Sequence, residues 1–230
     1  DIKAGSATFN AALGGGAAPV GDVSIVTGTL NLNGGSLNPA SLGNLGLYGE
    51  GTIHISAGSS ASTSGYTQTG GILQGVGTLS LSAGNHSWDG GTWEGGGTVR
   101  IANQATLSTL GEGILQLNGR RIDILNGGTA DITANINASG TNTIDVGGLL
   151  KLSSTISTNT STASLAINTS NTGVFNVPTG VTGALDSLEG GSITLTSTGT
   201  LAVDGAFNLT AGAAPLSALS ATINGRLDIS

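Results

Sequence analysis

Three segments of this chain can be set one above another: "GLYGEGTIHIS" from Gly46, "ILQGVGTLSLS" from Ile72 and "TWEGGGTVRIA" from Thr92. Each carries an apolar or aromatic residue, a polar one, Gly-x-Gly-Thr, and then an apolar-polar-apolar run. The Gly-Thr pairs begin at Gly28, Gly51, Gly77 and Gly97, with spacings of 23, 26 and 20 residues. A unit of this length that recurs with drift is the mark of stacked coils, each touching only its neighbours. Looser copies follow from Gly113, Gly148, Gly173, Gly191 and Gly225.

In "TLNL", "TIHI", "TLSL", "TVRI" and "LLKL", residues two apart fall on one face of a strand. Leu30 and Leu32, or Ile53 and Ile55, therefore point inward, while Asn31 or His54 points out. The glycines fall where the chain must bend, often with positive φ. The expected fold is all-β: a parallel β-helix (β-solenoid), right-handed by the general bias of parallel connections, with about 9–10 coils of roughly 20–26 residues. Residues 1–230 read as a single solenoid domain. Within it, 1–27 form an irregular first coil, 28–118 carry the clearest repeats and 119–230 looser ones.

Composition agrees. The 230 residues include 41 glycines but only 4 prolines, which excludes collagen, and the many aliphatic residues argue against disorder. No apolar run reaches the roughly 18 residues that a membrane helix needs, so this segment is not expected to insert into a membrane. The net charge of -7, with six Lys and Arg, argues against a nucleic-acid or anionic-lipid partner. The one adjacent basic pair, Arg120 and Arg121 in "GRRID", reads as solvated surface. There is no cysteine, hence no disulfide or thiolate metal site. The absence of Met and the start at Asp1 suggest a processed product or a fragment of a longer repeat protein, any export signal lying outside it.

The stretch "SWDGGTWEGGGTVRI" holds both tryptophans, Trp88 and Trp93, with Asp89 and Glu94. Two aromatic platforms beside two carboxylates suit a glycosidic bond, where one carboxyl donates a proton and the other attacks or activates water. In register, Trp93 occupies the slot of Leu47 and Leu73, as an oversized core rung, and Glu94 that of Tyr48 and Gln74. Trp88 falls over Gln68 and Asp89 over Thr69, in slots that are normally polar. Local packing over a glycine corner is the favoured reading of Trp88; a partly exposed indole that stacks on a sugar is the other.

His54 reads as a surface imidazole in the outward slot of Ser80 and Arg100. Neither it nor His86 joins a metal or nucleophile motif. "GGTAD" (Gly127 to Asp131) is a fragment at most of a calcium repeat. The hydroxyl-rich Ser157 to Asn171 lacks the repeated outward slot that ice binding needs. No catalytic, cofactor-binding or metal residue is assigned, and no cofactor is expected.

"YTQTGGILQGVGTLSLSAG" (Tyr66 to Gly84) and "GGTWEGGGTVRI" (Gly90 to Ile101) resemble the repeats of large secreted bacterial β-solenoids: filamentous-haemagglutinin-like exoproteins and the strand repeats of autotransporter passengers. The resemblance implies a non-catalytic shaft or scaffold for adhesion or extracellular matrix, at the cell surface or outside the cell, with surface glycans or other proteins as partners. It covers residues 28–118 well and the remainder loosely; no export domain is visible. One alternative is a carbohydrate-binding or polysaccharide-degrading β-helix using Trp88, Asp89 and Glu94. Another is a fibre unit that associates end to end through open strand edges.

Overall fold

The computed structural model describes residues 5–9, 21–33, 40–110, 113–170, 172–187, 192–209, 217–223 and 226–229. Among these there is no helix, and 24 strands join in one sheet whose pairings are all parallel. Of the 1–27 stretch, residues 1–4 and 10–20 lie outside the described residues.

Each turn contributes a strand to each of three faces. Face A includes Thr29–Leu32, Thr52–Ile55 and Ile114–Asn118. Face B includes Val23–Ile25, Ala105–Thr109 and Thr129–Ile132. Face C includes Thr78–Leu81, Thr98–Ile101, Arg121–Ile124 and Thr141–Val146. Where a corner is tight, one continuous strand serves more than one face, as Ser60–Gly75 and Gly84–Glu94 do. The fold is thus a parallel β-solenoid of about 8 turns, counted along face A from Leu30 to Leu209. Ser6–Phe9 and Arg226–Ile229 add a rung at either end.

The core is a set of inward ladders. On face A, Leu30, Ile53, Leu73, Trp93, Leu117 and Ala138 succeed one another. On face C, Leu79, Val99, Ile122, Ile144, Ile167 and Leu195 do the same. All are at most 3% exposed. Burial contributes roughly 1.5–3 kcal/mol per large aliphatic side chain, and each coil gains it only from the coils above and below.

The register corrects one reading of the repeat. Thr29 pairs with Thr52 on face A, and Thr78 with Thr98 on face C. The Gly-Thr pairs at Gly51 and Gly77 therefore sit on different faces, and their spacing of 26 is not one turn. The partner of Thr52 one turn on is Ile72, and the Gly51 carbonyl accepts from the Ile72 amide at 2.9 Å. Trp93 does lie over Leu73, but Leu47 belongs to face B, over Gln68. His54 points outward between Asn31 and Gln74 of face A, not in the slot of Ser80 and Arg100, which is on face C. Hydrogen bonds from turn to turn join residues 19 apart where the coil is tightest and 29 apart near the C-terminal end.

Candidate functional site

The two tryptophans are wholly buried. Trp93 enters the core from face A and Trp88 from face B, and their rings stack 3.9 Å apart at 6°. The corner between them is built from Gly90 and Gly91. Gly91 has φ +81, and a Cβ there would lie 2.4 Å from the Gly71 carbonyl oxygen. Both indoles fold inward around that corner, so the partly exposed Trp88 platform does not exist and packing over the glycines is what the chain adopts. Trp88 does pair with Gln68 as the register implies, but Asp89 is extruded. The pairing steps from Gln68↔Trp88 to Thr69↔Gly90, leaving Asp89 as a bulge. Its Oδ1 accepts from the Leu110 amide at 2.7 Å, tying one turn's corner to the next. Glu94 takes an outward slot over Asn118.

Around the stacked indoles lies a polar network inside a mostly aliphatic core. Gln68 Oε1 accepts from the Tyr66 hydroxyl at 2.5 Å and from Trp93 Nε1 at 2.6 Å, and its Nε2 donates to the Gly71 carbonyl at 3.2 Å. Burial pushes the Tyr66 phenol far above its ordinary range, so it stays a donor at any physiological pH. Arg120 enters from the corner between faces A and C. Its Nη1 donates to the Glu94 carbonyl at 2.6 Å and reaches the Leu73 and Gly75 carbonyls at 3.4 Å, spanning two turns. Burial pulls its pKa down to about 10, opposed by Tyr66 and Glu94, and it remains a cation at neutral pH.

Arg120 is thus no solvated residue: of the basic pair, only Arg121 is exposed. The charge of Arg120 rests on carbonyl oxygens, while its Nε and Nη2 and the Trp88 Nε1 have no partner. His86 is also inside, one rung beyond Tyr66 on face B, at 3% exposure. Its Nδ1 accepts from the Tyr66 amide at 3.0 Å and its Nε2 donates to the Ser82 carbonyl at 2.7 Å. Burial lowers its pKa, and the contact with Ser82 opposes that shift in part.

A concavity lies elsewhere, on the outer side of face C. A groove of about 430 Å³ runs over Arg121, Asp123, Asp145, Asn168 and Thr196, with Leu125 at its rim. Arg100 Nε meets Asp123 at 3.1 Å, Arg121 Nε meets Asp145 at 2.8 Å, and Asn168 Nδ2 donates to Asp145 at 3.0 Å. On face B, Asp131 of the "GGTAD" fragment faces Lys151 at 3.9 Å. No three His, Asp or Glu among the described residues could hold a metal ion. In the hydroxyl-rich stretch, Thr158 and Thr169 point into the core; Asn171 lies outside the described residues.

Sequence reasoning missed the inward Tyr66, Gln68, His86 and Arg120. For three of them a signal existed. "YTQ" (Tyr66 to Gln68) and "HSW" (His86 to Trp88) share the period of the aliphatic pairs around them, which places all four end residues on the core side. Arg120 sits at a corner, where alternation gives no direction. Comparisons with family models, curated proteins and solved structures returned no match to this chain.

Proposed function

We propose that this chain is a non-catalytic structural segment of an exported bacterial surface protein, serving as a stiff shaft or scaffold for adhesion or extracellular matrix. The observation that carries this reading is the unbroken stack: about 8 turns share one core of buried residues. At the strand spacing such a stack extends about 40 Å, and it resists bending because the described strands pair from one turn to the next. The burial of both indoles supports the same reading, since neither Trp88 nor Trp93 offers a ring to a sugar. The outward slots of Ser, Thr, Asn and mixed charges suit an aqueous surface.

The test is an immunoblot of cytosol, envelope and culture medium from the source organism, with an antibody against this chain. A band in the envelope or medium is the expected result. A band confined to the cytosol sinks the proposal.

A further inference from the structure

We propose that the groove on face C binds a neutral oligosaccharide. This goes beyond the scaffold reading and does not depend on it, since a solenoid of any cellular location could carry the groove. Three observations converge. The first is size: about 430 Å³ falls within the range of small-ligand sites and is large enough to seat sugar rings.

The second is the pattern of polar groups. Arg100, Asp123, Asp145 and Asn168 follow one another along a single outward ladder, with Arg121 beside Asp145. Successive turns stand about 4.8 Å apart, so a guanidinium, two carboxylates and an amide follow one another along the axis. The carboxylates are already oriented by guanidinium or amide groups, and are the more buried partners. Arg100 and Arg121 side chains are 45% and 54% exposed, Asp123 and Asp145 16% and 25%. Fixed planar acceptors beside donors with open edges are what pairs of adjacent hydroxyls need.

The third is charge and rim. Of the charged groups lining the groove, Asp145 is paired with Arg121, and Asp123 with Arg100, which stands outside the lining, so no unpaired charge among them asks for an ionic ligand. A polyanion would meet a chain of net charge -7, and a polycation would meet the two protruding guanidiniums. Leu125, 37% exposed, offers an apolar edge to the C–H face of a ring. The platform that Trp88 and Trp93 do not supply is replaced here by hydrogen bonding plus one aliphatic contact.

The experiment titrates the purified chain with cello-, chito- and manno-oligosaccharides, and with polygalacturonate and oligolysine as charged probes, by calorimetry. Saturable binding of at least one neutral oligosaccharide is expected. It should weaken about tenfold or more in Asn168→Ala and in the double variant Arg121→Ala/Asp145→Ala, which removes an ion pair without stranding a charge. Thr198→Tyr, at the groove's exposed rim, should block binding from outside the core and guards against loss by misfolding. The pair Asp131→Ala/Lys151→Ala on face B should bind as the parent does. No neutral probe bound, binding of only a charged probe, or binding untouched by the groove variants overturns the proposal. Cell fractionation is read separately, so failure here leaves the scaffold reading standing.

Discussion

Gln68 serves two donors, Tyr66 and Trp93, through one buried oxygen. Gln68→Leu would preserve much of the volume but strand both donors and the Gly71 carbonyl in a dry core. A buried polar group without a partner costs about 1–3 kcal/mol, so the variant should lose about 2–4 kcal/mol in urea unfolding. A loss below about 1 kcal/mol would mean that the network relaxes around the change.

His86 gives a pH signature of known sign. Its two contacts require the neutral ring protonated on Nε2, because Nδ1 already accepts the Tyr66 amide. With the folded pKa held below 6.5 by burial, the ring is neutral in both states well above that value and the stability it supports is complete. As pH falls through 6.5 the unfolded chain takes up a proton that the folded ring refuses. Stability then declines by up to about 1.4 kcal/mol per pH unit until the folded pKa is passed. His86→Gln, which can accept and donate in the same two directions, should flatten that slope in urea melts between about pH 7.5 and 5. An unchanged slope refutes the assignment.

At the scale of strands and corners, the turn-to-turn packing is so close that some corners admit no Cβ. Gly71 has φ +66, and a Cβ there would stand 2.3 Å from the Gly51 carbonyl oxygen. The left-handed conformation alone costs an L-residue about 1–2 kcal/mol. Gly71→Ala should therefore destabilise by more than about 2 kcal/mol in urea melts. Gly113, with nothing within 4 Å and no left-handed φ, should accept Ala within about 0.5 kcal/mol. Equal effects at the two positions would refute the close-packing account.

The same corners explain what the sequence disclosed. Alternation within "TLSL" or "TVRI" identifies inward residues because a strand has one period, and Trp93 over Leu73 follows from it. Alternation stops at a corner. For that reason the inward path of Arg120, the extrusion of Asp89 and the switch of the Gly-Thr motif from face A to face C were not legible. The groove on face C was equally hidden, since Asp123, Asp145 and Asn168 come from separate turns whose register the irregular spacing conceals.

For the molecule as a whole, the unit of stability is the turn, and its length is a testable quantity. Deleting residues 78–97 removes one full turn, because Thr98 already lies over Thr78 in register on face C. The strand Thr98–Ile101 would then follow Gly77 and pair with residues 60–63, face for face, and the ladders would close with one rung fewer. Deleting residues 52–77 instead joins Gly51 to Thr78, a junction that looks equally conservative by motif. It places a face C strand in a face A slot, so the whole turn 78–97 stacks on strands of the wrong face at the junction, although later turns keep their own partners. The first variant should show the parent's far-UV spectrum and a cooperative melt, its stability lowered by one nearest-neighbour interface and by the loss of the stacked indoles and of the Glu94 carbonyl that Arg120 binds. The second should be unfolded or aggregated by the same spectrum and by size-exclusion chromatography. If the second folds as well as the first, the Gly-Thr motif marks the turn after all and the three-face register is wrong.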